Sequence, residues 1–188
     1  MDARQRKRNI KNSRKQEAQA AEDIGGRVQT NSGALRLGGG GDVRLRGKVR
    51  IECKLTEKEY YTLKLKELLK LKKQSIETLE YPVFQFAFKR NTGALQKLAV
   101  VPCPRARPVS STKGELEILQ PTSGQITIKR SDLEETLNLR KYIELHFYEI
   151  IKKDGGMVLR VLRPFEIITW DTFLERWVTQ NKETDVRD

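Results

Sequence analysis

The feature that most constrains this chain is the run from Asp42 to Thr56. Apolar residues stand at Val43, Leu45, Val49, Ile51, Cys53 and Leu55, and polar ones at Asp42, Arg44, Arg46, Arg50, Glu52, Lys54 and Thr56. This is period-two alternation in two arms around Gly47, which predicts a β-hairpin with one buried face. The faces also fix the pairing. A two-residue Gly47-Lys48 turn would set Asp42 opposite Cys53 and mix polar with apolar. A three-residue Arg46-Gly47-Lys48 turn sets Val43 opposite Ile51, Leu45 opposite Val49 and Asp42 opposite Glu52. Only the second keeps the faces consistent.

That register has a chemical consequence. Asp42 and Glu52 face each other with β-carbons about 4.5–5.5 Å apart, and like charges so placed are destabilising. A divalent cation with oxygen ligands compensates them. Lys54, two residues after Glu52, points to the same face. There it can orient a water or stabilise charge on a phosphodiester under attack. The plainer alternative is a solvated face on which Lys54 only neutralises Glu52.

The 188 residues suggest one domain or a domain with an appendage. Net charge is +12, from 37 Lys and Arg against 25 Asp and Glu. Such an excess suits a polyanion, because bound lysines and arginines release its counterions. Cys53 and Cys103 are the only cysteines and His146 the only histidine, too few for a zinc finger or a histidine-based triad. No run approaches the ~20 apolar residues of a membrane helix. The first residues carry no apolar signal segment, so no membrane association is expected. The expected compartment is the cytoplasm, or the host cytoplasm for a viral chain.

Before the hairpin, residues 1–14 form a basic arm or a basic first turn of helix. A helix from about Lys11 to Asp23 is stopped by Gly25-Gly26, and a short strand follows at Arg27 to Thr30. The four glycines 38–41 are not a phosphate loop, since no G-K-[ST] follows them. After the hairpin, the pattern predicts a basic amphipathic helix from Lys58 to Leu79 and strands at Pro82–Phe88 and Lys97–Val101. Residues 102–114 read as a linker or long loop. Further on come a strand at Gln125–Lys129, a helix at Ser131–Lys152 opened by a Ser131/Glu134 capping box, a strand at Met157–Leu162 and a helix at Asp171–Gln180. Trp170 and Trp177 are expected in the core and His146 as an ordinary helix residue. The order of elements points to helices around a mixed sheet.

The stretch "GGRVQTNSGA…GDVRLRGKVRIECK" resembles the archaeal and phage Holliday junction resolvases of the PD-(D/E)xK nuclease superfamily. The likeness runs over about residues 14–90. It rests on a glutamate in the helix before a glycine, Ser32-Gly33-Ala34, Asp42, Glu52-Cys53-Lys54 and Pro82-Val83-Phe84. Gly41 stands where the superfamily usually has proline. The resemblance implies a restriction-endonuclease-like core over residues 15–103, with residues 104–188 as a C-terminal α/β extension. It implies a Mg²⁺-dependent endonuclease, with Mn²⁺ able to substitute, acting as a homodimer on branched DNA. A restriction or repair endonuclease on the same core, and a non-catalytic nucleic-acid-binding protein, are the alternatives. The implied catalytic set is Glu17, Asp42, Glu52 and Lys54. The metal would be held by Asp42, Glu52, the Cys53 backbone carbonyl and, through water, Glu17. Glu17 or Glu22 can be the helix glutamate, and Glu17 has the better spacing to Gly25. Candidate DNA contacts are Arg27, Gln29, Ser32, Arg36 and Lys64.

Overall fold

The computed structural model describes residues 3–29, 42–90, 92–103, 119–122, 124–139, 142–152 and 158–185. Ser32 and Arg36, with the turn and glycine run around them, lie outside the described residues. The elements in order are α1 (Ala3–Ile24), β1 (Arg27–Val28), β2 (Val43–Leu45), β3 (Val49–Thr56), β4 (Tyr60–Lys64), α2 (Leu65–Ile76), β5 (Tyr81–Lys89) and β6 (Leu95–Pro102). Then follow β7 (Leu119–Thr122), β8 (Gln125–Lys129), α3 (Arg130–Leu139), β9 (Ile143–Lys152), β10 (Val158–Thr169) and α4 (Trp170–Asp185).

The expected hairpin forms with Val43 opposite Ile51 and Leu45 opposite Val49, but Asp42 lies before the ladder: its N–H donates to the Ile51 carbonyl and its carboxylate accepts the Cys53 N–H, so the expected pairing with Glu52 is not part of it. Gly47 takes φ +70°, and the Lys48 N–H donates to the Leu45 carbonyl at 3.0 Å. A three-residue turn needs a residue in that left-handed region, which glycine enters without steric cost. β3 then pairs in parallel with β5, and β5 in antiparallel with β6. β6 pairs with β10, β10 with β9, and β9 with β7. The result is one mixed sheet in the order β1-β2-β3-β5-β6-β10-β9-β7. Strands from after residue 104 thus continue the sheet begun by the hairpin.

Alternation along these strands divides the core. Val43, Val49, Ile51, Cys53, Val83, Ala99, Val101 and Ile168 face α1 and α4, where Ala20, Ala21, Ile24, Trp170 and Phe173 cover them. Phe84, Phe86, Phe88, Leu98, Val100, Leu145 and Phe147 face the other way, under Leu65, Leu68 and Leu71 of α2 and Leu133 of α3. The chain is therefore an α/β protein with a mixed central sheet flanked by helices. Trp170 is buried in the core, and Trp177 packs against it, as expected.

Several expectations fail. Lys58 to Lys64 is not helical: Tyr60–Lys64 is a strand paired with β8, and the helix begins only at Leu65. β4 is rich in aromatic and β-branched residues, which favour a pleated surface, and its partner lies more than sixty residues downstream. The helix expected over Ser131–Lys152 stops at Leu139, and Ile143–Lys152 is a strand. Ile143, Leu145 and Phe147 take the period-two positions that bury against the sheet's core. His146 is consequently a buried strand residue, with Nε2 3.4 Å from a Glu144 oxygen. The capping box is absent, since α3 starts at Arg130 and Glu134 instead pairs with Arg90.

Arg50 was placed on the polar face of the hairpin, yet it is 1% exposed. Its Nε donates to Glu80 Oε2 at 2.8 Å, and Arg44 Nη2 donates to Glu80 Oε1 at 2.6 Å. The Thr78 hydroxyl also donates to Glu80, at 2.8 Å. Burial alone would raise the Glu80 carboxyl, but the hydrogen bonds from Arg44, Arg50 and Thr78 outweigh it and hold the carboxyl below its ordinary value. This network ties the hairpin to the turn before β5. Glu80→Ala leaves a buried guanidinium without its carboxylate, and should cost about 3–5 kcal/mol in urea unfolding at pH 7. Because the folded carboxyl is depressed, the wild-type advantage holds above the ordinary glutamate value of about 4.3 and is lost as pH falls through the folded one. A difference from wild type that stays constant down to pH 3 would rule out this origin.

Candidate active site

The candidate residues come from three elements that meet at the β2 end of the sheet. Asp42 immediately precedes β2. Its N–H donates to the Ile51 carbonyl, and its carboxylate Oδ2 accepts the Cys53 N–H at 2.8 Å. Glu52 and Lys54 project from β3 on the side away from α1, since Ile51 and Cys53 take the α1 side. Glu17 lies on the partly exposed flank of α1, one turn before buried Ala20 and Ala21. Glu22 is exposed and accepts a hydrogen bond from Gln19, and its charge is not among those that shift Asp42.

The electrostatics register the convergence. Burial raises the Glu17 carboxyl, and the neighbouring Asp42 raises it further, with Glu52 adding a smaller effect. Burial also raises Asp42, followed by the charge of Glu52, against the opposing Cys53 N–H and Lys54. Asp42 thus stands within electrostatic reach of both Glu17 and Glu52. Lys54 Nζ donates to Glu52 Oε1 at 2.5 Å. Burial lowers the Lys54 ammonium, but this bond and the charges of Glu52, Asp42 and Glu67 outweigh it and leave its pKa above the ordinary value. Lys54 is therefore held in its charged, donating form against Glu52. Burial pushes the Cys53 thiol far up, and its side chain packs on the α1 side with Ile51, on the face opposite Glu52 and Lys54.

The donors suit a hard cation, being carboxylate oxygens with a backbone carbonyl beside them. Within a strand the N–H and C=O of one residue share an edge. The Cys53 N–H points to Asp42, so the Cys53 carbonyl faces the same edge. Asp42, Glu52, the Cys53 carbonyl and Glu17 are the groups that would hold Mg²⁺. Among the described residues, no three Asp, Glu, His or Cys side chains stand close enough to cage an ion as they are arranged. The Lys54–Glu52 pair is the contact that would have to yield for Glu52 to serve as a ligand.

Arg27 and Gln29 lie beside this group. The Gln29 N–H donates to the Asp42 carbonyl at 2.8 Å, and both residues line a surface cleft with Arg44 and Arg46. Lys64 ends β4 and precedes α2, rather than lying within a helix.

Sequence reasoning missed several neighbours. Gln16 is buried on α1, and its Nε2 donates to the Lys54 carbonyl at 3.2 Å and to Gln85 Oε1 at 2.9 Å. Gln16 Oε1 and Gln85 Nε2 are buried with no protein partner. This pair braces the β3 backbone at Lys54 from the α1 side. A glutamine inside the otherwise apolar run Val83–Phe88 was the available signal. Glu67, in the first turn of α2, adds a further carboxylate whose charge reaches Lys54. It was hidden because the helix was expected to start seven residues earlier.

No family model matches this chain, and no curated protein or solved structure matches it either. No helix among the described residues is long and apolar enough to cross a membrane.

Proposed function

We propose that the chain is a metal-dependent endodeoxyribonuclease of the PD-(D/E)xK type, built on a restriction-endonuclease-like core and acting on branched DNA such as four-way junctions. The observation that carries this reading is one hairpin that presents Asp42, held by the Cys53 N–H, beside Glu52 and Lys54, with Glu17 within electrostatic reach of Asp42, on a chain of net charge +12. Mutually repelling carboxylates persist at a cost unless a cation or a function compensates them.

Each residue has a part in that chemistry. Bound Mg²⁺ would supply Lewis-acid polarisation and a more acidic water. Asp42 and Glu52 would provide the anionic ligands, with Asp42 kept in place by the Cys53 N–H. Glu17, on α1, would hold a metal-bound water. Lys54, kept cationic, donates to the attacking water or to the phosphate oxygen that gains charge. Gln16 braces the strand behind it. Two symmetric cuts need two sites, which a twofold pair of this chain would provide.

The Lys54–Glu52 ion pair specifically favours a second reading, a non-catalytic DNA-binding protein in which the pair is only structural. Incubating the chain with a four-way junction, a Y-fork, a duplex and a single strand, with Mg²⁺ or EDTA, separates the two. Mg²⁺-dependent cleavage, strongest on the four-way junction, is the expected outcome. Binding without cleavage under Mg²⁺ and Mn²⁺ alike would establish the second reading.

A further inference from the structure

β4 and β8 form a two-stranded antiparallel ribbon separate from the main sheet. Its inward residues, Tyr61, Leu63, Ile126 and Ile128, pack into the core beside Phe84 and Phe86. Its outward residues pair as Tyr60 with Lys129, Thr62 with Thr127 and Lys64 with Gln125. This outer face carries no carboxylate. The acids at its margin are already engaged, Glu59 by Arg130 at 2.9 Å and Glu134 by Arg90 at 2.6 Å. Lys58 adds a further ammonium, 5.2 Å from the Tyr60 ring centre. A cleft lined by Tyr60, Thr127, Lys129, Arg130 and Ser131 opens alongside, with the paired Glu59 and Glu134 also in its wall.

The ribbon is also held at both ends. The Leu65 N–H donates to the Gly124 carbonyl at 2.8 Å, and the Arg130 N–H to the Glu59 carbonyl at 2.9 Å. Thr62 and Thr127 hydroxyls bond each other across it at 3.1 Å. It flanks the candidate site, because β4 begins four residues after Thr56 ends β3 and lies on the sheet face from which Glu52 and Lys54 project.

We infer that the outer face of this ribbon seats a duplex DNA arm, with Lys64 and Lys129 on its phosphates and Tyr60, Thr62 and Thr127 against the groove wall. This rests on the reading of the chain as a DNA-acting protein. Strands about 4.8 Å apart make a ribbon that fits a major groove about 12 Å wide. A rigid cationic face whose neighbouring acids are neutralised complements a polyanion rather than an acidic patch on the protein itself. β8 and Lys129 come from beyond residue 104, so this surface gives the C-terminal segment a part in substrate binding.

The test is binding of a fluorescent duplex and a four-way junction to the full chain in EDTA, over a range of salt. The variants are Lys64→Gln with Lys129→Gln, and a charge-matched control, Lys48→Gln with Lys73→Gln, away from the ribbon. Loss of two phosphate contacts should reduce the slope of log K against log salt by about 1.8 for the ribbon variant. The control should change it by far less. An unchanged slope, or one equal to the control's, overturns the ribbon surface; Mg²⁺-dependent cleavage by the same wild-type preparation would leave the nuclease reading intact. A reduced slope with no cleavage supports the surface while the nuclease reading fails. Tighter binding to an RNA duplex than to DNA, or no binding by wild type, would overturn the surface.

Discussion

Asp42→Asn and Glu52→Gln should each lower Mg²⁺-dependent cleavage of a four-way junction by at least about a thousandfold. Metal polarisation is worth several kcal/mol in the transition state, and each 1.36 kcal/mol is tenfold in rate. DNA binding in EDTA should hold or strengthen, because each change removes a negative charge facing phosphate. Folding gives an independent readout for Asp42. Its carboxyl is raised in the folded chain by burial and by Glu52. A raised carboxyl contributes stability below its unfolded value, about 3.9, and loses it as pH rises through the folded value. Asp42→Asn should therefore melt at or above wild type at pH 7 in EDTA, with the advantage gone below pH 4. Saturating Mg²⁺ should then raise the wild-type melting temperature and leave the variant's unmoved. Near-wild-type cleavage by both variants would remove these carboxylates from the active site.

Lys54→Ala and Lys54→Arg should both reduce single-turnover cleavage by about a hundredfold or more, the cost typical of losing one aimed transition-state donor. The arginine variant is the informative one. It keeps the charge and can still pair with Glu52, but it replaces a compact ammonium with a broad planar fork. A water or a single phosphate oxygen set by the ammonium would be misplaced. If Lys54 served only to neutralise Glu52, arginine would do so as well, and cleavage at saturating Mg²⁺ would fall within a few-fold of wild type. That result would contradict the mechanism. Metal titration of the arginine variant tells a damaged ligand set from a lost donor, because Asp42 is held by the Cys53 N–H independently of residue 54.

Much of this arrangement is local, and the sequence alone determined it. The alternation from Val43 to Leu55 with Gly47 at its centre set the hairpin, its register and the shared face of Glu52 and Lys54. A one-residue slip would send Ile51 and Cys53 to solvent, so one register survives. Gly25, at φ +66°, ended α1 where the sequence indicated. β5 and β6 appeared where apolar runs were seen, each extended by a residue or two at either end.

Only the tertiary structure decided the remainder, and the reason is distance along the chain. Tyr60–Lys64 is a strand because β8 offers it a ladder, and nothing within a helical window reports on a partner that far away. Ile143–Lys152 became a strand through the ten-residue pairing with β10 that no local period revealed. Arg50 reads as a surface residue by type, yet it is buried because Glu80, thirty residues on, brings a carboxylate to it. Gln16 meets Gln85 across sixty-nine residues, behind the Lys54 backbone. The charge of Asp42 likewise acts on Glu17 only because α1 packs its alanines on the hairpin. A periodic pattern specifies which face is buried, while the identity of what covers that face, and the charges it delivers, is fixed only when distant segments pack.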